Sequence, residues 1–267
     1  MIATSGIRCL LIFVAYHPSE PEVSRLQQCL SQLADDVGYA VIANDHRPGE
    51  EVDRLRQNAR LFVSSRINAG YGRAINQVVR TLDGQGELPE FIGALNTDLA
   101  WQQGTFETLL DWLVVHPDVA LVVPRLLDIE GAPQSLCKQH PTLLGLLSRR
   151  FIPERCKPAW LRHYDSWYVM AGYDYSQVMD VPYLSGCCMM MQTSAFLAVK
   201  GFDESFFLYL EDADLTRRMA RIGRTVHLPE ATITHHWGRG NHRSKLLTLV
   251  NVQSTWIYFR KWGIRLA

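Results

Sequence analysis

Three carboxylates stand within four positions in Glu211-Asp212-Ala213-Asp214, one residue after the aromatic run Phe206-Phe207-Leu208-Tyr209. One acidic residue at a helix start is ordinary capping and dipole chemistry. Three exceed what capping asks for, and like charges so close raise one another's proton affinity. A carboxylate poised in this way can take the proton of a sugar hydroxyl acting as a nucleophile. A further acidic position, Asp98, closes the triplet Asn96-Thr97-Asp98. Alternation along an extended chain puts the side chains of 96 and 98 on one side. A carboxylate there can hold Mg2+ or Mn2+ across the two phosphates of a nucleotide; capping of the following helix explains it equally well. The pair His235-His236, before Trp237-Gly238, ends an apolar β-like stretch. Neutral imidazole is a common metal ligand. Adjacent strand residues point oppositely, so at most one of the two reaches a given ion, and a structural histidine is the plainer reading.

The segment Asn68-Ala69-Gly70-Tyr71-Gly72-Arg73-Ala74-Ile75-Asn76 opens a helix pattern. Its two glycines permit a tight turn and close approach of backbone to a ligand, and a helix N-terminus favours an anion. A dinucleotide-binding fingerprint is the rival. It fails because Ile75 stands at the third glycine position and the segment is not in the first strand-to-helix turn.

Strands alternating with helices must carry these residues. Cys9 to Ala15 is a continuous apolar run, as expected of a strand covered on both faces. Helical spacing follows over 21–33, then strands at 39–43 and 61–63. A helix is expected over 72–82, a strand over 91–95, a helix over 105–115 and a strand over 119–123. The pattern predicts an α/β fold with a mostly parallel sheet, whose ligands sit beyond the carboxyl ends of the strands. Tyr16-His17, Asn44-Asp45-His46 and Asn96-Thr97-Asp98 each begin where a strand stops. From 124 to 182 the pattern degrades, with a hairpin expected at 128–133 and a long Arg-, Pro- and aromatic-rich loop from Arg149 through Tyr175. One or two strands broken at Gly186 come next, then a helix from Asp212 to Ile222 and a strand at 225–228. The expected organisation is one domain over 1–244, with a nucleotide-binding half (1–123) and an acceptor-binding half (124–244). Residues 245–267 form an amphipathic helical tail. That tail could pack on its own protein or rest its basic and aromatic residues on a membrane surface.

The 267 residues carry 27 basic and 27 acidic side chains, so no net field draws the protein to nucleic acid. Six cysteines lack metal-ligand spacing and suit a reduced, cytoplasmic setting. The apolar run near the N-terminus is too short to span a bilayer.

Taken together, from about Cys9 to Ser244, these segments resemble the inverting glycosyltransferases of the GT-A fold, a Rossmann-like nucleotide-diphospho-sugar transferase fold, and especially bacterial rhamnosyltransferase-like members. Asn68 to Asn76 is similar to the family's Asn-x-Gly-aromatic-Gly…Asn element. Leu95-Asn96-Thr97-Asp98 resembles a variant of its DxD motif, with Thr97 for the usual Pro and Asn96 for the first Asp. Gly201-Phe202-Asp203-Glu204 through Phe207, Tyr209 and Glu211-Asp212-x-Asp214 resembles the acceptor-side signature, and His236 the distal histidine. The resemblance implies a metal held by Asp98 with His236 or His235, and Asp212 as catalytic base. It implies that Tyr16, Asn44 or Asp45, Asn68, Gly70, Arg73 and Asn96 line the nucleotide. Gly186, Glu211, Asp214 and Trp237 would line the acceptor and sugar pocket. The implied donor is a nucleotide sugar, with dTDP-L-rhamnose ahead of UDP-hexoses and GDP-sugars. The implied acceptor is a saccharide or lipid-linked saccharide, in cell-surface polysaccharide synthesis at the inner face of the membrane. Two rivals make separate predictions: a non-catalytic nucleotide-sugar-binding module, and an NAD-dependent dehydrogenase.

Overall fold

Apolar runs long enough to be covered on both faces need helices above and below them, and the chain supplies these in alternation. The computed structural model describes residues 6–236 and 245–267. In chain order the elements are β1 (Cys9–Ala15), α1 (Glu20–Leu30), β2 (Val37–Ala43), β3 (Leu61–Ser64), α2 (Tyr71–Gln85), β4 (Phe91–Asn96), β5 (Leu99–Trp101), α3 (Thr105–Val115) and β6 (Val119–Leu127). The second half adds β7 (Cys137–Lys138), α4 (Leu143–Phe151), α5 (Ala159–Tyr168), β8 (Met179–Asp180), β9 (Tyr183–Leu184), β10 (Cys188–Gln192), α6 (Thr193–Ala198), α7 (Glu211–Met219), β11 (Arg224–His235) and α8 (Lys245–Trp262).

The main sheet runs β3-β2-β1-β4-β10-β6-β11-β5, with β8 also on β11. Strands β3, β2, β1 and β4 are mutually parallel, as are β6 and β11. Strand β10 enters antiparallel between β4 and β6. It thereby brings the second half of the chain against the end of β4. Alternate side chains of β1 fall into two cores. Leu11 and Phe13 join one on one face; Leu10 and Ile12 join the other with the buried stripe of α2, Ile75, Val78, Val79 and Leu82.

Two expectations fail in instructive ways. The stretch 149–175, read as a long loop, contains the end of α4 and all of α5. Pro153 and Pro158 divide it into pieces too short for a clear helical period. Tertiary contacts supply what propensity does not: Thr142 Oγ1 caps α4 by accepting from Gly145 N at 3.1 Å. Buried Asp165 of α5 accepts from Ser148 of α4 and pairs with Lys157. The strand expected at 225–228 continues to His235 through a register shift between Leu228 and Thr232. Pro229 offers no donor to a ladder, so the strand bulges there and then resumes. The resumed part pairs His235 with Leu99.

Candidate active site

The end of β4 and the start of β10 build the centre of the site. Asn96 N donates to Cys187 O at 3.0 Å, and the neighbouring Gly186 N donates to Asp212 Oδ2 at 2.9 Å. The dipeptide Gly186-Cys187 therefore joins the Asn96–Asp98 turn to the first turn of α7. Burial raises the Cys187 thiol pKa to about 12, with the charges of Asp98 and Asp212 both adding to the effect. Both carboxylates thus act on the one residue, Cys187.

Asp212 is tightly oriented. Its Oδ1 accepts from Tyr183 Oη at 3.0 Å and from Ala213 N at 2.8 Å, while Oδ2 accepts only from Gly186 N among the described residues. One lone pair of Oδ2 stays available to a hydroxyl proton. A Cβ at Gly186 would lie 3.0 Å from Asp212 Cβ, so a side chain there would push on Asp212 where glycine leaves it in place. Tyr71 Oη donates to Gly186 O at 2.8 Å and fixes the other side of that peptide. Just before α7, Tyr209 and Leu210 have φ of 70° and 64°. Non-glycine residues in this region carry about 1–3 kcal/mol of strain each. The loop is held by Ser254 Oγ of α8, which donates to Leu208 O at 2.7 Å, and by Tyr71 N, which donates to Phe207 O at 3.2 Å.

Asp98 is held differently. His236 N donates to its main-chain oxygen at 2.8 Å, its Oδ2 lies 3.3 Å from His235 Nε2, and its buried Oδ1 has no hydrogen-bond partner. His235 Nδ1 lies 3.0 Å from Gln134 Oε1, and Gln134 Nε2 donates to His235 O. With the ring proton on Nδ1, given to Gln134, the Nε2 lone pair faces the carboxylate. His236 also lies within the field of Asp98; burial first, then Arg25, lowers its pKa. A buried carboxylate oxygen without a donor, beside an imidazole nitrogen, offers two ligand atoms to a divalent cation, and among the described residues no group of three or more His, Cys, Asp or Glu side chains is placed to hold one. Gln134, which nothing in its sequence neighbourhood marks, orients the nearer histidine.

The glycine-rich segment does other work than expected. A Cβ on Gly70, at φ 87°, would lie 2.2 Å from Phe207 O, and one on Gly72 would meet the Phe202 ring. The close backbone approach at Gly70 and Gly72 is to the chain's own 202–207 loop. Asn76 completes this clasp: Oδ1 accepts from Phe202 N and Nδ2 donates to Phe202 O and Glu204. Arg73, expected at the nucleotide, pairs instead with Glu204 at 3.2 Å, and Asn68 Oδ1 accepts from Gly70 N at 3.0 Å. Asn44 is buried, with weak contacts at 3.5 Å to Ala69 N and Gly70 O, whereas Asp45 meets His17 Nε2 at 3.2 Å on the surface beside exposed Tyr16.

Asp214, expected in the sugar pocket, is fully buried and faces α8. It pairs with Arg218 at 2.8 Å and Lys261 at 2.9 Å, and accepts from Trp262 Nε1 at 2.8 Å. Glu211 is also buried, its Oε2 has no partner, and burial and then the Asp212 charge raise its pKa. Trp237 lies outside the described residues. Lys138, absent from the sequence-based site, has Nζ 4.5 Å from the centroid of the Tyr183 ring.

Residues 169–241 match a family described as the N-terminal domain of galactosyltransferase. The chain is 28% identical over 270 residues to N-acetylglucosaminyl-diphospho-decaprenol L-rhamnosyltransferase of Mycobacterium tuberculosis strain H37Rv, covering 92% of this chain and 85% of that one. Among solved structures it resembles the mannosyltransferase PcManGT of Pyrobaculum calidifontis, determined with GDP-Man and Mn2+, at TM-score 0.63 and 15% identity over 97% of this chain. It also resembles S. aureus TarS at TM-score 0.57 and 15% identity over 92% of this chain. The chain spans 64% and 65% of the lengths of those two proteins.

Proposed function

We propose that this chain, a GT-A-fold glycosyltransferase related to bacterial rhamnosyltransferases, transfers a sugar from a nucleoside diphosphate to an acceptor hydroxyl in one inverting displacement. The observation that carries the reading is the pair of unlike carboxylates flanking Gly186-Cys187: Asp98 with a buried oxygen lacking a donor, and Asp212 fixed with one lone pair open.

In this reading Asp98 and His235 hold Mg2+ or Mn2+, with His236 as the further candidate. The ion, when bound, offsets negative charge developing on the departing diphosphate. Tyr16 and Asp45, at the ends of β1 and β2, contact the base and ribose; Asn44 and Asn68 shape the loop behind them. The acceptor hydroxyl forms the new bond to the anomeric carbon and gives its proton to Asp212 Oδ2, while the bond to the diphosphate breaks. Tyr183, Gly186 and Ala213 fix the carboxylate that receives the proton. The non-catalytic alternative gives no purpose to this threefold fixing.

The proposed acceptor is a lipid-linked saccharide and the proposed sugar L-rhamnose, following the name of the mycobacterial relative; dTDP as the carrier of that sugar follows from the resemblance alone. A thermal-shift screen of dTDP, UDP and GDP, with and without Mn2+, tests the donor site. Stabilisation by one nucleotide only when the ion is present is expected. Absence of any nucleotide effect contradicts the reading, as does full transfer activity in excess EDTA.

Peripheral contact with a membrane is part of the proposal. No described helix is long and apolar enough to cross a bilayer. One face of α8 buries Ser254, Tyr258 and Phe259, while Leu246, Leu249, Val252 and Trp256 stay exposed beside Lys245 and Arg260. Apolar side chains thus lie on both the buried and the exposed sides of α8, so the helix is not the amphipathic one expected of the tail; the exposed apolar residues beside Lys245 and Arg260 are what supports the membrane contact. The protein is expected to float with anionic vesicles, and Leu249→Asp/Trp256→Asp is expected to abolish flotation; equal flotation of both would refute this contact.

A further inference from the structure

The tip between α4 and α5 is built inside-out. From Phe151 to Trp160 every residue is exposed except Lys157. The lysine side chain is 5% exposed, whereas Phe151 is 53% and Trp160 62% exposed. Water ordinarily imposes the reverse order, because a buried ammonium is costly and an exposed aromatic ring gains nothing. The inversion is held by bonds. Lys157 Nζ lies 2.9 Å from Glu154 Oε2 and 2.5 Å from Asp165 Oδ2, and Asp165 accepts from Ser148 of α4. Arg162 Nη1 donates to Lys157 O, and Cys156 N donates to Pro153 O at 2.8 Å. Pro153 and Pro158 restrict the backbone on either side of this turn. The tip is thus an ordered loop that presents Phe151, Ile152 and Trp160 outward, with exposed Leu147 one helical turn before Phe151 on α4.

The charge around the tip decides what it meets. Glu154 and Asp165 are the acidic residues between 149 and 167, and Lys157 occupies both. Arg149, Arg150, Arg155 and Arg162 therefore keep their positive charge without an ion pair among the described residues. An apolar tip rimmed by unmatched guanidinium groups suits an anionic bilayer, where the rings enter the acyl boundary and the charges stay at phosphate level. A symmetric contact with a second copy would instead bring the same arginines together. The tip is also joined to α8, whose exposed apolar residues carry the membrane contact proposed above. Arg150 Nη2 donates to Thr248 Oγ1 of α8. Leu143 N and Leu144 N of α4 donate to Arg265 O and Leu266 O, just past the end of α8.

We propose that the α4–α5 tip, with Phe151, Ile152 and Trp160 at its apex and Arg149, Arg155 and Arg162 around them, is a second membrane anchor that inserts into an anionic lipid surface. Two anchors joined through α4 fix an orientation on the bilayer, where one helix alone leaves rotation about its axis. Leu143 and Leu146 of the same α4 pack against the cluster that holds Tyr183, the hydrogen-bond partner of Asp212. That this orientation serves a lipid-linked acceptor rests on the glycosyltransferase reading above; insertion of the tip does not.

Cys156, at the tip, supplies the probe: it is exposed and the other five cysteines are buried. An environment-sensitive fluorophore is attached to Cys156 of the full chain and read with vesicles of phosphatidylcholine, with and without phosphatidylglycerol. Anionic vesicles are expected to shift its emission to the blue, and spin labels on the acyl chains to quench it. Phe151→Asp/Trp160→Asp is expected to lower vesicle partitioning by about tenfold or more. Arg149→Gln/Arg155→Gln/Arg162→Gln is expected to remove the preference for anionic over neutral vesicles. Circular dichroism reports that these surface variants are folded, and the labelled wild type needs none of them. Vesicle binding with an unshifted, unquenched probe overturns the tip as an anchor and leaves the α8 contact standing. Wild-type protein that binds no vesicles overturns both. Partitioning of Phe151→Asp/Trp160→Asp equal to wild type also overturns the tip. A blue shift that grows with protein concentration without vesicles, with a dimer mass by sedimentation, gives the patch to a second copy and overturns the lipid assignment.

Discussion

Asp98 and Asp212 flank the same dipeptide, yet the protein treats them in opposite ways. Asp212 receives three hydrogen bonds and sits against a glycine that no other residue could replace without movement. Asp98 has a buried oxygen with no donor and a histidine beside it. The first arrangement orients a group that must meet a substrate proton at a fixed angle. The second leaves negative charge for an external cation to neutralise. In the proposed reading the site thus separates a positioned base from an ion site, and the first variants below each remove one side of that contrast.

The largest effect is expected at Asp212. Asp212→Asn should lower kcat by about 10²–10⁴-fold while nucleotide affinity stays unchanged, read from steady-state kinetics and calorimetry. Equal loss of both would make the residue structural. Gln134→Ala should act on the other side, weakening Mn2+ affinity by about 10–100-fold through misorientation of His235. An unchanged metal titration would remove Gln134 from the account.

Next come effects on stability. Lys261→Met takes one of three partners from buried Asp214 and should cost about 1.5–3 kcal/mol in urea unfolding. A cost near zero would mean that Arg218 and Trp262 suffice. The smallest effect is a slope. Burial and the Asp212 charge make the folded Glu211 carboxyl hold its proton more tightly than the unfolded chain does. Across that window the folded state binds more protons, so this group's contribution to stability falls as pH rises from the unfolded carboxylate range through the raised folded value. Glu211→Gln should flatten that part of a Tm-against-pH profile; an unchanged profile would show that the carboxyl is not perturbed.

Legibility in the sequence divides along the same line. The first half of the chain was readable because β1, β2, β4, α2 and α3 are long and strongly periodic, and their ends locate Tyr16, Asp45 and Asp98. The second half was readable only where residue types cluster, at Glu211-Asp212-Ala213-Asp214. Within that cluster, sequence could not distinguish Asp212, turned to Gly186, from Asp214, turned to Trp262. Gly70 and Gly72 signalled close backbone approach, but their partners Phe207 and Phe202, about 130 residues away, had no local signal. Lys138 and Gln134 had no local signal; their positions follow from β7 pairing with β9 and from the extension of β11 past its bulge.

The separation of roles is tested most directly by Mn2+-dependent binding of nucleoside diphosphate, measured by calorimetry side by side in wild type, Asp98→Asn and Asp212→Asn. The predicted result is loss of the Mn2+-dependent component in Asp98→Asn and its full retention in Asp212→Asn. Retention in both, or equal loss in both, would contradict the assignment of ion and base to different carboxylates.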